Sequence, residues 1–170
     1  MSASSDRGFI QMDTRRKTLI LGIGNSLLRD EGAGVHAIRI LAALVTERDD
    51  IELMDGGTLS FSLAGAIEDA ENLIVIDAAQ YDGEPGTTRV FVGEQMDDFI
   101  GSNRKCSVHE VSLIDLMAIA LLAGQLPQQR ALIGIQPQTI EWGETPSLPV
   151  AAAIQQACDQ AMRLVEEWRA

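Results

Sequence analysis

Residues 22 to 34, GIGNSLLRDEGAG, form a glycine-rich segment that joins an apolar run to a helical pattern. The run TLIL, residues 18 to 21, comes directly before it, and apolar residues recur at helical spacing over residues 31 to 47. A short apolar run, a glycine turn and an amphipathic helix are the parts of a β-α unit. The segment therefore predicts a first strand and a first helix, with Asp30 placed to cap the helix.

The rest of the chain continues this alternation of short apolar runs and helical patterns. Short links between such units favour an α/β fold, a mostly parallel sheet with helices on both faces. We expect a single domain over residues 17 to 170, preceded by a flexible segment, and burial of the nearly all-apolar helix at 110–123. The strand candidates are 18–23, 51–55, 72–77, 88–93 and 130–135, and the helix candidates are 31–47, 59–70, 110–123 and 149–169.

The composition indicates which classes of partner and which cellular compartment suit this chain. A net charge of −12, from 25 acidic and 13 basic residues, argues against nucleic acid as a partner, because binding phosphates depends on Lys and Arg. Cys106 and Cys158 are too few for a disulfide framework, which suits a reducing compartment. The N-terminus lacks the apolar region of a signal peptide, and no apolar run reaches the length of a membrane span. We therefore expect a cytoplasmic protein without membrane insertion.

The glycine-rich segment begins like a dinucleotide-binding loop but departs from that pattern. The fingerprint G-x-G-x-x-G needs a third glycine three residues after Gly24, where the sequence has Leu27. Asp30 and Glu31 stand at the start of the helix, where their charges would repel a phosphate. Nucleotide binding at the turn of Gly22 and Gly24 is therefore a minor alternative.

Three residues with metal-binding side chains follow separate elements. Glu31 follows the first strand, Asp77 ends the run NLIVID, and His109 stands just before a helix candidate. Each alone fits a capping or surface role. Because ligands of open parallel sheets bind beyond the carboxyl ends of the strands, the three side chains could meet at one edge. A mixed set of oxygen and nitrogen ligands suits a divalent transition metal, so the sequence indicates a metal site.

Neighbouring residues do not complete a better-known metal motif. The segment HEVSL starts like a zinc-protease helix, but Leu113 stands where the second histidine belongs. Cys106 and His109 form C-x-x-H without a second such pair, which makes Cys106 a weak ligand candidate. We expect a structural role for His36 and a core position for Cys158.

Five segments together resemble the hydrogenase maturation proteases, endopeptidases that process the large subunit of nickel-iron hydrogenases. They are GIGNSLLRDEGAG, MDGGT, LIVIDA, SVHEVSL and IGIQP, and the resemblance runs from about residue 18 to 165. It implies a twisted sheet of about five strands between helices. It also implies that Glu31, Asp77 and His109 form the catalytic site and bind nickel.

The resemblance also implies a substrate. Proteins of this family remove a C-terminal extension from the [NiFe] hydrogenase large-subunit precursor, and the nickel is supplied by the precursor. Asp55, Gly56 and Gly57 match a loop associated with substrate recognition.

Two mechanisms and two other functions stay open at this point. The metal could polarise the scissile carbonyl or activate water, or it could anchor the tail while a carboxylate such as Asp30 does the acid–base chemistry. The alternatives are a non-catalytic nickel-sensing or chaperone module for the same partner, and a nucleotide-binding α/β enzyme.

Overall fold

The computed structural model describes residues 17–103 and 111–170, so the N-terminal segment and the region of His109 lie outside the described residues. One five-stranded sheet lies between two layers of helices, which confirms the expected α/β class. A membrane-spanning helix is absent from the part of the chain that the structure describes. The strands are β1 (Thr18–Ile23), β2 (Ile51–Gly57), β3 (Asn72–Ala78), β4 (Thr88–Val92) and β5 (Gln129–Ile135). The helices are α1 (Ala33–Leu44), α2 (Ala64–Asp69), α3 (Glu94–Ser102), α4 (Leu113–Leu122) and α5 (Leu148–Arg169).

The order of the strands determines where a ligand can bind. The sheet runs β2-β1-β3-β5-β4, and every neighbouring pair is parallel except β4 with β5. The chain moves outward from β1 to β2 and then returns to the other side of β1 to form β3. The order thus reverses between β1 and β3, and in open α/β sheets ligands bind beyond the carboxyl ends of the strands at such a point.

Alternate residues of each central strand face different helix layers. On β3, Ile74 and Ile76 pack with α1 and α5, whereas Leu73 and Val75 pack with α2, α3 and α4. Burial on both faces explains why the central strands appear in the sequence as continuous apolar runs. The same alternation places Asp77 on the face of Leu73 and Val75.

Helix α3 was not expected from the sequence. Gly93 begins it with a φ of 57°, a conformation that favours glycine, and Met96 is fully buried beneath it. Phe99 stacks on Phe91 of β4, with ring centroids 4.1 Å apart. The helical spacing of Met96, Phe99 and Ile100 was the available signal for this element.

Helix α4 is shorter and more exposed than the sequence indicated. Ser112 caps it in a capping box: the Ser112 N–H donates to Asp115 Oδ2 at 2.9 Å, and the Asp115 N–H donates to Ser112 Oγ at 3.4 Å. The helix therefore starts at residue 113 rather than 110. The expected burial is wrong at its C-terminal end, where Leu121 and Leu122 are 63% and 89% exposed.

Candidate active site

A cavity of about 450 Å³ lies at the carboxyl edge of the sheet, at the reversal of strand order between β1 and β3. Glu31 and Asp77 both line it. Glu31 belongs to a 3₁₀ turn, Arg29–Gly32, that follows β1, and Asp77 is the last residue but one of β3. The structure thus brings together two of the three predicted site residues, although their roles stay a prediction.

The third predicted ligand lies in a part of the chain that is not described. His109 falls between residues 104 and 110, as does the weaker candidate Cys106. Asn103 and Val111, which flank that segment in the sequence, both line the cavity. Within residues 17–103 and 111–170, no three His, Cys, Asp or Glu side chains form a group that could hold a metal ion.

The glycines after β1 allow α1 to approach the strands closely. Gly24 has a φ of 131°, and a Cβ there would lie 1.8 Å from the Glu31 carbonyl oxygen. A Cβ on Gly34 would lie 2.1 Å from the backbone oxygen of Ile76. Backbone atoms of the protein therefore fill the space next to these glycines. Close packing explains why the positions are glycine without invoking a bound phosphate, which disfavours the nucleotide-binding alternative.

Asp30 does not cap α1, contrary to the sequence expectation. Helix α1 follows Gly32 without a side-chain cap, and the fully buried Asp30 carboxylate accepts four hydrogen bonds from elsewhere. The donors are the backbone N–H groups of Gln138 and Thr139, both at 2.9 Å, and the backbone N–H and hydroxyl of Ser147, at 2.6 and 2.8 Å. Burial raises the pKa of Asp30, but these bonds outweigh it and hold the pKa below its usual range.

A second set of contacts fixes the same turn to the loop before α5. Arg29 has a φ of 48°, and its N–H donates to the Gly143 carbonyl at 2.8 Å. The Gly143 N–H donates to the Leu27 carbonyl at 2.9 Å, and Arg29 Nε donates to the Thr145 carbonyl at 3.1 Å. The position of Glu31 therefore depends on residues more than one hundred positions away, which no local sequence pattern showed.

Asp55, Gly56 and Gly57, which the sequence placed in a loop, are the last three residues of β2 and lie next to this turn but not in the cavity. Asp55 is exposed and accepts a hydrogen bond from the Gly57 N–H at 2.9 Å. The Gly57 carbonyl accepts one from the Gly24 N–H, also at 2.9 Å. Of this region only Leu59 lines the cavity, so the structure does not bring Asp55, Gly56 and Gly57 to the two carboxylates.

With this geometry, a comparison with known proteins identifies the family. A model of hydrogenase maturation proteases (HycI) matches residues 35–168. The chain belongs to this family. The protein is therefore a hydrolase of the endopeptidase class, as the sequence predicted.

Individual relatives cover most of the chain. The hydrogenase expression/formation protein HupD of Rhizobium leguminosarum bv. viciae is 35% identical over 153 residues, which are 89% of this chain and 75% of that protein. The hydrogenase 2 maturation protease of Escherichia coli (strain K12) is 31% identical over 154 residues, 89% of this chain and 92% of that protein. The solved structure of the hydrogenase maturating endopeptidase HybD from E. coli has a TM-score of 0.78 and 30% identity, over 89% of this chain and 93% of that one.

Two further residues of this maturation protease lie away from the cavity. Cys158 is fully buried and its Sγ contacts the Ala37 carbonyl at 3.6 Å, which confirms the predicted core position. His36 is half-buried on α1 and does not line the cavity. Burial and the charge of Arg39 lower the pKa of His36.

Proposed function

We propose that this protease removes the C-terminal extension of a nickel-loaded [NiFe] hydrogenase large-subunit precursor. The observation that carries the proposal is that Glu31, from the turn after β1, and Asp77, at the end of β3, line one cavity at the reversal of strand order. Membership of the maturation protease family supports the choice of partner. We place the reaction in the cytoplasm, in agreement with the low cysteine content.

The available ligands suit a metal that arrives with its substrate. Among the described residues the cavity offers the carboxylates of Glu31 and Asp77, and we propose His109 as the third ligand. His109 is two residues before the cavity-lining Val111 in the sequence, and two residues of chain span at most about 7 Å. Two carboxylates and an imidazole fit a divalent transition metal that keeps ligands from the precursor.

The cavity residues would both recognise the precursor and position it for hydrolysis. The nickel of the precursor supplies a positive charge that can polarise a neighbouring carbonyl. Glu31 and Asp77 would hold that charge and so orient the tail at the edge of the sheet. Asp30 is a poor candidate for proton transfer, because its carboxylate is fully buried, accepts four hydrogen bonds and does not line the cavity. We therefore assign the acceptance of a proton to Glu31, Asp77 or His109.

The carboxyl end of β2 would contact the precursor outside the cavity. Asp55 is exposed, and the hydrogen bond between Gly57 and Gly24 fixes the end of β2 beside the turn that bears Glu31. Gly56 lets the end of β2 pack closely against β1, because a Cβ there would lie 2.8 Å from Leu21 Cδ1. We propose that Asp55, Gly56 and Gly57 recognise the precursor next to the cleavage site.

Intact-mass analysis of the cognate large-subunit precursor tests the proposal. Loss of one discrete C-terminal fragment is expected with nickel-loaded precursor and not with nickel-free precursor. The Asp77→Asn variant should leave the nickel-loaded precursor uncut. Asp98→Asn, which changes an exposed carboxylate of α3 outside the cavity, should cut it normally. An unchanged mass with the unmodified protease would instead support the non-catalytic nickel-sensing or chaperone module.

A further inference from the structure

The floor of the cavity beside Asp77 is apolar and closely packed. Ile23 and Leu132 belong to the apolar cluster on the α2, α3 and α4 face, and alternation places Asp77 on the same face. Gly134 pairs with Asp77 across β3 and β5. A Cβ on Gly134 would lie 2.9 Å from the Ala79 Cβ, so only glycine fits without a shift. Ala79 therefore packs over Gly134, and the side chains of Ile23, Ala79 and Leu132 form the floor next to the carboxylate.

The walls of the cavity are also apolar. Phe99 and Ile100 of α3 and Ile114 of α4 line it from above the sheet. The two helices meet at Gly101, where a Cβ would lie 3.9 Å from Ile114 Cδ1. The stack of Phe99 on Phe91 attaches α3 to the sheet. The carboxylates thus lie at the edge of an apolar chamber rather than in a polar cleft.

The polar residues of the wall already make hydrogen bonds within the protein. Gln80 Oε1 accepts from Gln136 Nε2 at 2.6 Å. Asn103 Nδ2 donates to the Phe99 carbonyl at 2.9 Å, and the Ser112 hydroxyl donates to Asp115 at 2.6 Å. The apolar side chains are therefore the main surface that the cavity offers to a ligand.

The charges in the cavity determine which kind of substrate side chain it can accept. Glu31 and Asp77 are the charged side chains among the described residues that line it. They would repel an acidic side chain of a substrate. A basic side chain would pair with the carboxylates that the proposed function assigns to nickel. An uncharged apolar side chain is compatible with both the nickel and the walls.

We propose that this chamber is a specificity pocket for a large apolar side chain of the precursor, at a residue flanking the scissile bond. The proposal rests on the proposed function, because nickel bound at Glu31 and Asp77 would place the neighbouring chain at the chamber. A volume of about 450 Å³ is in the range of pockets that enclose small ligands, so it has room for such a side chain. Ile100 and Ile114 are its specificity-determining residues.

Cleavage of a panel of precursors measures the preference. The residues on each side of the cleavage point are replaced in turn by Leu, Ala, Asp and Lys, and kcat/KM is determined with nickel-loaded precursor. At one of these positions we expect Leu to be preferred over Ala by roughly tenfold or more, and Asp and Lys to be cut more slowly still.

Variants of the protease test whether the chamber causes that preference. Ile100→Trp and Ile114→Trp fill the chamber and should shift the preference from Leu towards Ala by about tenfold. Leu121→Trp changes an exposed position on the same helix as Ile114 and should keep the original preference. If a tryptophan variant fails to fold, Ile114→Ala enlarges the chamber and should reduce the preference for Leu.

The outcomes separate this proposal from the function on which it rests. No cleavage of the cognate nickel-loaded precursor by the unmodified protease would overturn the proposed function, and the specificity pocket with it. Cleavage with equal kcat/KM across the panel would overturn the pocket alone. The pocket alone would also be overturned if the Ile100 and Ile114 variants fold and keep the same preference for Leu as Leu121→Trp.

Discussion

Ser147 donates two hydrogen bonds to Asp30, from its backbone N–H at 2.6 Å and from its hydroxyl at 2.8 Å. Ser147 is the residue before α5, and Asp30 belongs to the turn that carries Glu31. The start of the last helix is thereby attached to the turn after the first strand. The position of Glu31, a carboxylate that lines the cavity, thus depends on a contact between residues 117 positions apart in the sequence.

Replacing Asp30 should destabilise the protein strongly. In Asp30→Asn, an amide NH₂ group would face the N–H and O–H donors that bind the carboxylate in the unmodified protein. We therefore expect a loss of about 3 kcal/mol in the free energy of unfolding. Ser147→Ala removes only the hydroxyl bond and should cost about 1.5 kcal/mol. Denaturant unfolding measures both. A loss in Asp30→Asn no larger than in Asp98→Asn would contradict the assigned role.

Gly34 should tolerate no side chain, whereas Gly65 should accept one. A Cβ on Gly34 would lie 2.1 Å from the Ile76 oxygen and 2.4 Å from the Ile23 oxygen, both backbone atoms that cannot move aside. We expect Gly34→Ala to cost about 3 kcal/mol or more, or to prevent folding. Gly65 is also in a helix, α2, but a Cβ there would meet open space. Gly65→Ala should therefore raise the free energy of unfolding by about 0.5–1 kcal/mol. Equal thermal midpoints for the two variants would refute the close-packing argument.

The sheet could be predicted from the sequence because its central strands are buried on both faces. The predicted strand at 18–23 coincides with β1, where every residue is buried. Helix α3 was missed because only three apolar side chains mark it and its start depends on the conformation of Gly93. The antiparallel pairing of β4 with β5 also depends on packing that no local pattern encodes.

The meeting of Glu31 and Asp77 could be inferred because strand ends of a parallel sheet share an edge. The partners of Asp30 could not, because the loop around Gln138 and Ser147 reaches the turn only in the folded chain. The apolar chamber was missed for the same reason. Its walls come from α3 and α4, whose approach to the sheet is a tertiary property.

Asp50 should make stability depend on pH in the acid range. Arg48 donates to both Asp50 oxygens at 2.7 Å, and this pairing lowers the pKa of the largely buried Asp50 to about 2. Because the pKa of Asp50 is lower in the folded than in the unfolded protein, its ionised carboxylate stabilises the fold at pH values above the ordinary pKa of 3.8. That contribution is lost as the pH falls towards 2. It amounts to roughly 2 kcal/mol. Asp50→Asn should lose this part of the pH dependence of unfolding between pH 4 and 2, and an unchanged profile would contradict the ion pair.

Cys158 should be unreactive in the folded protein. Burial raises the pKa of the Cys158 thiol to about 11, and its Sγ is packed against α1 at the Ala37 carbonyl. At pH 8 only about one thousandth of the Cys158 side chains are then in the reactive thiolate form, and the surrounding core keeps reagents away from the sulfur. In a Cys106→Ser variant, reaction with a thiol reagent should be at least about 100-fold slower in buffer than in denaturant. Equal rates in the two conditions would show that Cys158 is exposed.

The pair of Asp97 and Arg130 should control how α3 covers the cavity. Arg130 Nε donates to Asp97 Oδ1 at 2.9 Å, and a second guanidinium nitrogen bonds Oδ2, which ties the first turns of α3 to β5. Asp97→Asn should weaken this pairing at a cost of about 1 kcal/mol and raise the KM for the precursor more than it changes kcat. Hydrogen exchange over residues 94–103 should become faster. Asp98→Asn, at the next position of the same helix, is the matched control. If both variants show the same KM and exchange rates, the ion pair does not hold α3 over the chamber.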